Sequence, residues 1–213
     1  MQSPNRPSFD LIYPLTSILQ RIDLPRLFSD SQPLEVELGS GDGSFLAAYA
    51  AQHPDRNFIG VERLLGRLRK LDRKGRQAGL SNLRGVRIES AYFLQYLLPV
   101  HSVSALHIYF PDPWPKRKHR RHRLINDRFV QLTQAALVPA GMVFVRTDDA
   151  DYFEQMVNVF GASPGFSREE TPQALADLLT DFELDFLARG IKTLRAAFRA
   201  VSGSVGVPPA GSV

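Results

Sequence analysis

Leu34-Glu35-Val36-Glu37-Leu38-Gly39-Ser40-Gly41-Asp42-Gly43-Ser44 is the stretch that decides the fold. Leu34 to Leu38 alternates as a strand does and runs into a glycine cluster. Glycines at 39, 41 and 43 let the backbone turn sharply and approach a ligand where a Cβ would intervene. A helical segment over about 43 to 52 follows. Working outward, β-rich runs recur at Asn57 to Glu62, Leu83 to Glu89, Ala105 to Phe110 and Gly141 to Thr147. Helical patterns lie between them at about 63 to 78, 91 to 98, 123 to 137 and 149 to 160. Strands alternating with helices predict an α/β, Rossmann-like fold, a mostly parallel sheet covered on both faces.

The 213 residues are enough for one such domain with a tail. Residues 1 to 33 are polar and proline-rich and read as an arm, 34 to 200 as the domain, and 201 to 213, rich in Gly, Ser and Pro, as a disordered tail. The absence of cysteine excludes a disulfide scaffold, a thiolate metal site and a Cys nucleophile. No metal site is expected. Pro4, Pro7, Asp10 and Pro14 interrupt any secretory core, and no run reaches the roughly 18 apolar residues that span a bilayer. A cytoplasmic protein is expected, with no membrane partner.

The glycines fall as G-x-G-x-G, with Ser44 where a dinucleotide fingerprint needs its third glycine. Glu37 and Asp42 crowd the loop with negative charge and repel a pyrophosphate. A cationic nucleoside without phosphate suits it better, and S-adenosylmethionine has that character. Glu62 ends the second strand, where a carboxylate accepts both ribose hydroxyls. Glu89, ending the third, is placed to accept from the adenine amino group, or else is a solvated acid. Gly39, Gly41 and Gly43 also read as a plain βα turn.

Positive charge is focused. Lys116 to Arg123 (KRKHRRHR) holds six of the 26 Lys and Arg with no acid. Without it the chain is net negative. Eight such neighbours repel one another unless a polyanion neutralises them, which points to nucleic acid. Arg63 to Arg76 carries seven more against Asp72 alone, but Leu64, Leu65, Leu68 and Leu71 make it equally an ordinary amphipathic helix with a solvated face.

Between the fourth strand and the basic run stands Phe110-Pro111-Asp112-Pro113-Trp114-Pro115-Lys116. Its prolines fix the backbone and present Asp112 and Trp114 rigidly at the carboxyl edge of the sheet, where open α/β sheets bind ligands.

The order ELGSGDGSF, NFIGVE, GLSNLR, YFPDPWPKRKHRRHR, FVRTDD and TDFE resembles the bacterial tRNA (guanine-N7-)-methyltransferase family over roughly residues 34 to 200. The resemblance implies a methyltransferase sheet with an antiparallel last strand, and transfer of a methyl group from S-adenosylmethionine to N7 of guanine in the variable loop of tRNA. It implies that Glu37, Glu62, Glu89 and Asp112 bind the donor, Glu89 replacing the family's usual Asp with a longer reach. Asp112 becomes the catalytic residue. Lys116 and Asp148 contact the guanine or tRNA, Thr180 and Glu183 form a substrate-contacting element, and Lys118, His119, Arg120, Arg121, His122 and Arg123 grip the RNA backbone. Pro139-Ala140-Gly141 departs from the family's Pro-Gly-Gly. Thr180-x-x-Glu183 is also a capping box, and Asp148-Asp149 also suits a helix cap. The partner is tRNA, with monomer or homodimer left open.

N7 of guanine carries an in-plane lone pair and no proton, so no general base is needed and the five histidines have no assigned task. Methylation moves positive charge onto the ring and acidifies N1–H. A carboxylate accepting from that edge, Asp112 or Asp148, then binds the transition state more tightly than the ground state. Three competing functions are an exocyclic-amine methyltransferase, whose loop would carry a second proline before the aromatic, a non-catalytic RNA-binding module, and a nicotinamide-dependent dehydrogenase, disfavoured by Ser44 and the acidic loop.

Overall fold

The computed structural model describes residues 10–201. Its strands and helices run, in chain order, β1 (Ile12–Tyr13), β2 (Leu34–Leu38), α1 (Ser44–Gln52), β3 (Asn57–Val61), α2 (Leu65–Gln77) and β4 (Leu83–Val86). There follow α3 (Ser90–Tyr92), β5 (Val103–Tyr109), α4 (Asp127–Ala136), β6 (Leu137–Thr147), α5 (Ala150–Gly161), β7 (Phe166–Glu169), α6 (Gln173–Asp177), α7 (Asp181–Ala188) and β8 (Leu194–Ala200). The sheet order is β1-β4-β3-β2-β5-β6-β8-β7. β8 alone runs against the direction of the other strands, pairing antiparallel with both β6 and β7. The mostly parallel α/β sheet expected from the alternating pattern is present, with the antiparallel last strand that the resemblance implied.

From β2 the chain winds outward through β3 and β4, and from β5 through β6 on the other side. Strand order therefore reverses between β2 and β5, which opens a crevice at their carboxyl ends. The Gly39–Gly43 turn leaves β2 at this point and the Phe110–Pro115 loop leaves β5 beside it.

Every residue of β2 is buried. Leu34, Val36 and Leu38 feed the larger apolar core with Ile59, Leu106 and Val143. Glu35 and Glu37 point to the opposite face, toward α1. Glu35 accepts from His107 Nε2 at 2.7 Å and from Arg56, while His107 Nδ1 meets the Tyr109 hydroxyl at 2.8 Å. Burial pushes the Glu35 carboxyl up, but His107 and Arg56 outweigh it and hold it below its ordinary range. His107 thus has a structural task that the sequence did not reveal.

Several elements depart from expectation in instructive ways. The third strand stops at Val86, because Glu89 turns to cap α3, accepting from the amides of Ala91 and Tyr92. α3 continues as a wider turn over Phe93–Leu97. The fourth predicted helix begins at Asp127, after Asn126 caps it, and the basic run instead forms a 3-10 turn, Arg117–His122. Ala140 sits at φ 61, a left-handed conformation that glycine adopts freely, in the bulge where β6 leaves and rejoins β5. Residues 10–33 belong to the body: β1 pairs with β4, and Ile22 and Leu27 lie in the core. Residues 202–213, expected as a tail, lie outside the described residues.

Candidate functional site

The crevice between β2 and β5 is a cleft of about 330 Å³. One wall is Leu38 and Gly39 with Glu62 and Leu64 from the β3–α2 junction, and the opposite wall is the loop from Phe110 through Asp112 to Trp114. Glu89 and Ser90 close one end. Four stretches far apart in sequence meet here because all of them follow parallel strands.

The three glycines divide into two roles. Gly39 and Gly41 hold φ of 81° and 56° with open space where a side chain would stand. Gly43, at φ 76°, is packed so closely on α2 that a Cβ would meet the Leu71 side chain at 2.6 Å. It brings α1 and α2 together and shapes the turn from below. Asp42 is held by Lys74 at 2.6 Å and by Ser44 at 2.8 Å, so its charge is neutralised within the loop.

Glu37, unlike Glu35, Asp42 and Glu62, makes no hydrogen bond or ion pair among the described residues, and it is buried. It is 4% exposed, and its Oε2 and the neighbouring Ser40 hydroxyl are buried without hydrogen-bond partners. Burial raises the Glu37 carboxyl to about 8, against the pull of Arg146 and with Asp42 and Glu62 adding to the rise. An orphaned carboxylate beneath an open glycine turn fits a ligand with hydroxyl or cationic groups. Glu62, also buried, accepts from the Leu64 amide at 2.7 Å, with Arg67 4.0 Å away. That bond directs its carboxylate to the cleft. Carboxylates beside an open glycine turn fit a cationic ligand that carries ribose hydroxyls, as S-adenosylmethionine does.

Asp112 is exposed, lines the cleft, and makes no hydrogen bond or ion pair among the described residues. The loop around it is strained and braced. Phe110 and Trp114 adopt φ of 50° and 45°, a region that bulky residues rarely occupy. The brace is Arg123, which donates to the Pro113 carbonyl at 2.7 Å, to Gln155 at 2.8 Å and to Asp151 at 2.6 Å, and lies over the Tyr152 ring. Arg123 is 2% exposed. It was expected on the RNA-binding surface; it is instead the buried pin of the Asp112 loop. The same geometry corrects the view of the run as uncompensated, because Asp151 on α5 also pairs with Arg120 at 2.9 Å.

The remaining basic residues face outward. Lys116, Arg117, Lys118 and Arg121 are exposed, and His119 and His122 pack on the Trp114 ring. His122 also lines the cleft, which places the run against the site it was expected to serve.

Asp148 and the 180–183 element resolve differently. Asp149, rather than Asp148, caps α5, accepting from Tyr152 at 2.7 Å. Asp148 is left exposed at the carboxyl end of β6, with no hydrogen bond or ion pair among the described residues. Thr180 and Glu183 form a complete capping box at α7. Glu183 is fully buried and also accepts from Arg146 and Arg195, each at 2.6 Å. Burial raises its carboxyl, but the Thr180 amide and the two arginines prevail and hold it low. The geometry displays capping and anchoring of α7. Through that anchor α7 delivers the exposed Phe182 against Phe110, ring centroids 5.8 Å apart, at the side of the cleft loop. Phe182 was not singled out from sequence, although an aromatic within the capping box was an available signal; Arg63 and Arg67 were noted only as part of a basic stretch and not as cleft residues.

The family model described as "Putative methyltransferase" matches residues 31–194. The tRNA (guanine-N(7)-)-methyltransferase of Alkalilimnicola ehrlichii is 33% identical over 186 residues, covering 87% of this chain and 78% of that protein. The protein of the same name from Nitrosospira multiformis is 33% identical over 186 residues, covering 86% and 81%. That of Syntrophotalea carbinolica is 34% identical over 179 residues, covering 82% and 77%. Among solved structures the fold is shared with the 16S rRNA methyltransferase KamB, at TM-score 0.62 and 17% identity over 85% of this chain and 95% of that one. The antibiotic-resistance methyltransferase Kmr shares it at TM-score 0.58 and 20% identity, over 85% and 93%. By its sequence relatives, the family model and the methyltransferase fold that carries its cleft, the chain belongs to the tRNA (guanine-N(7)-)-methyltransferase family.

Proposed function

We propose that the protein transfers the methyl group of S-adenosylmethionine to N7 of a guanine in the variable loop of tRNA. The observation that carries this reading is the unpartnered Asp112 carboxylate, held on a braced proline loop that lines a cleft together with Glu62, Glu89 and Gly39, the turn residue that follows β2 and its buried, orphaned Glu37. When bound, S-adenosylmethionine supplies an electrophilic methyl on a sulfonium centre.

The protein's own residues do the rest. Glu37 and the open turn at Gly39 and Gly41 receive the donor's polar end, Glu62 its ribose hydroxyls, and Glu89 its adenine edge with whatever acceptor capacity the α3 cap leaves. Asp112 faces the guanine. Because N7 has no proton, the task is alignment, and rigid positioning supplies up to roughly 7 to 11 kcal/mol. The strain at Phe110 and Trp114 and the Arg123 brace serve that rigidity. As charge reaches the guanine ring, Asp112 accepts a strengthening hydrogen bond from N1–H or the exocyclic amine, with Asp148 on the same rim as its partner. Lys116, Lys118, Arg121 and the histidines on Trp114 meet the RNA. In duplex RNA the N7 edge lies in a deep, narrow groove, so a loop nucleotide is the accessible target.

The test is incubation with labelled S-adenosylmethionine and unmodified tRNA, followed by digestion to nucleosides. The label is expected in 7-methylguanosine. Label in an amine-methylated nucleoside, or no incorporation, overturns the proposal.

A further inference from the structure

We infer that the outer face of α2 is a second RNA-docking surface, which takes the tRNA backbone alongside the basic run at the cleft. α2 is fixed on the sheet by Leu68, Leu71 and Gly75, all buried. Opposite that stripe the helix presents Arg67, Arg69, Lys70 and Arg73, and Arg63 stands just before its Leu64 cap, all exposed.

Three features separate this face from an ordinary solvated one. Its cations are largely unspent: Lys74 binds Asp42 and Arg76 binds Asp72, but the side chains of Arg63, Arg69, Lys70 and Arg73 make no hydrogen bond or ion pair among the described residues. Arg67 reaches Glu62 only at 4.0 Å. Their arrangement opposes the helix. Arg63 and Arg67 stand at its amino end, which has no acid in its first turn, and within the helix the pairs Arg69–Arg73 and Lys70–Lys74 put like charges four residues apart. A face selected for helix stability would carry acids at those places. A bound polyanion reverses both penalties. Finally, the ridge is continuous with the site. Arg63 and Arg67 line the cleft, and Arg87 extends the patch from β4, its Nε 3.3 Å from the Arg63 carbonyl. From Arg67 to Arg73 the ridge runs about 9 Å along the helix axis, and Arg63 before the cap extends it toward the cleft.

Outside this helix and the basic run, acids outnumber Lys and Arg across the rest of the chain. The two cationic tracts flank the cleft from the β3 and β5 sides, which suits a polyanion lying across it. The polyanion is taken to be the tRNA of the proposed function.

The test compares Lys70→Gln/Arg73→Gln with a control pair that removes the same charge from the far sheet edge, Arg168→Gln/Arg199→Gln. Methylation of tRNA is followed against salt, and binding of tRNA without donor is measured in parallel. For the α2 pair, kcat/KM for tRNA is expected to fall about tenfold with kcat and donor affinity unchanged. The slope against log salt should shrink by about 1.5, as for two lost phosphate contacts. The control is expected to change less than twofold. If the α2 pair matches the control in binding and in slope, the face is only solvated and the inference is overturned. Absence of methylation by the wild-type protein would instead defeat the proposed function, while the tRNA-binding comparison would still decide the docking surface.

Discussion

Glu37 carries a free-energy penalty that the folded chain alone does not offset. Its carboxyl titrates at about 8 in the native state, against an ordinary value of 4.5. Between those values the folded protein holds a proton that the unfolded chain has released, so stability falls as pH rises through this window and levels off above about 8. The slope approaches about 1.4 kcal/mol per pH unit as an upper bound. Urea unfolding of the ligand-free protein at pH 6 and pH 8 should show it, and Glu37→Gln should flatten it. Saturating donor should flatten it as well, by giving the ionised carboxylate a partner. A wild-type slope equal to that of the Gln variant would mean that Glu37 is already satisfied. Sequence reading reached Glu37 because it sits beside the glycines. It missed Glu35, two residues earlier on the same face, whose role depends on His107, 72 positions away on another strand, and leaves no local mark.

At the scale of elements, the loop from Phe110 to Pro115 and the 3-10 turn after it form one mechanical unit. The charge pattern of Lys116 to Arg123 was legible in the sequence; which of its arginines faces inward was not, because that depends on where α5 presents Asp151 and Gln155. Arg123→Ala leaves the Pro113 carbonyl and Asp151 without their principal donor. It is expected to destabilise the protein by about 2–4 kcal/mol and to slow methyl transfer, read by urea unfolding and by kcat. Lys118→Ala and Arg121→Ala, exposed on the same turn, should leave stability within about 0.5 kcal/mol. Equal stability loss in all three would show that Arg123 is not the pin. The same principle explains β7, β8, α6 and α7, which local pattern did not locate. β7 has four residues, and α7 is identified by its cap rather than by apolar periodicity.

Over the whole molecule, what the sequence made readable was the alternation of strand and helix and the turn residues between them. From these came the parallel core and the placing of the ligand site at the carboxyl edge of the sheet; the reversal between β2 and β5 shows only in the assembled strand order. Long-range ion pairs such as Arg146–Glu183, and the packing of residues 10–33 onto the sheet, follow only from the assembled fold. The same assembly isolates Asp112, exposed and unpaired on a loop that other residues hold rigid. Its substitution should therefore spare the fold and strike the chemistry. The decisive measurement is the single-turnover rate of methyl transfer by Asp112→Asn at saturating donor and tRNA. A fall of about 10²-fold or more is predicted, the usual scale for losing one charge-stabilising group. A rate within about threefold of the wild-type protein would contradict the account.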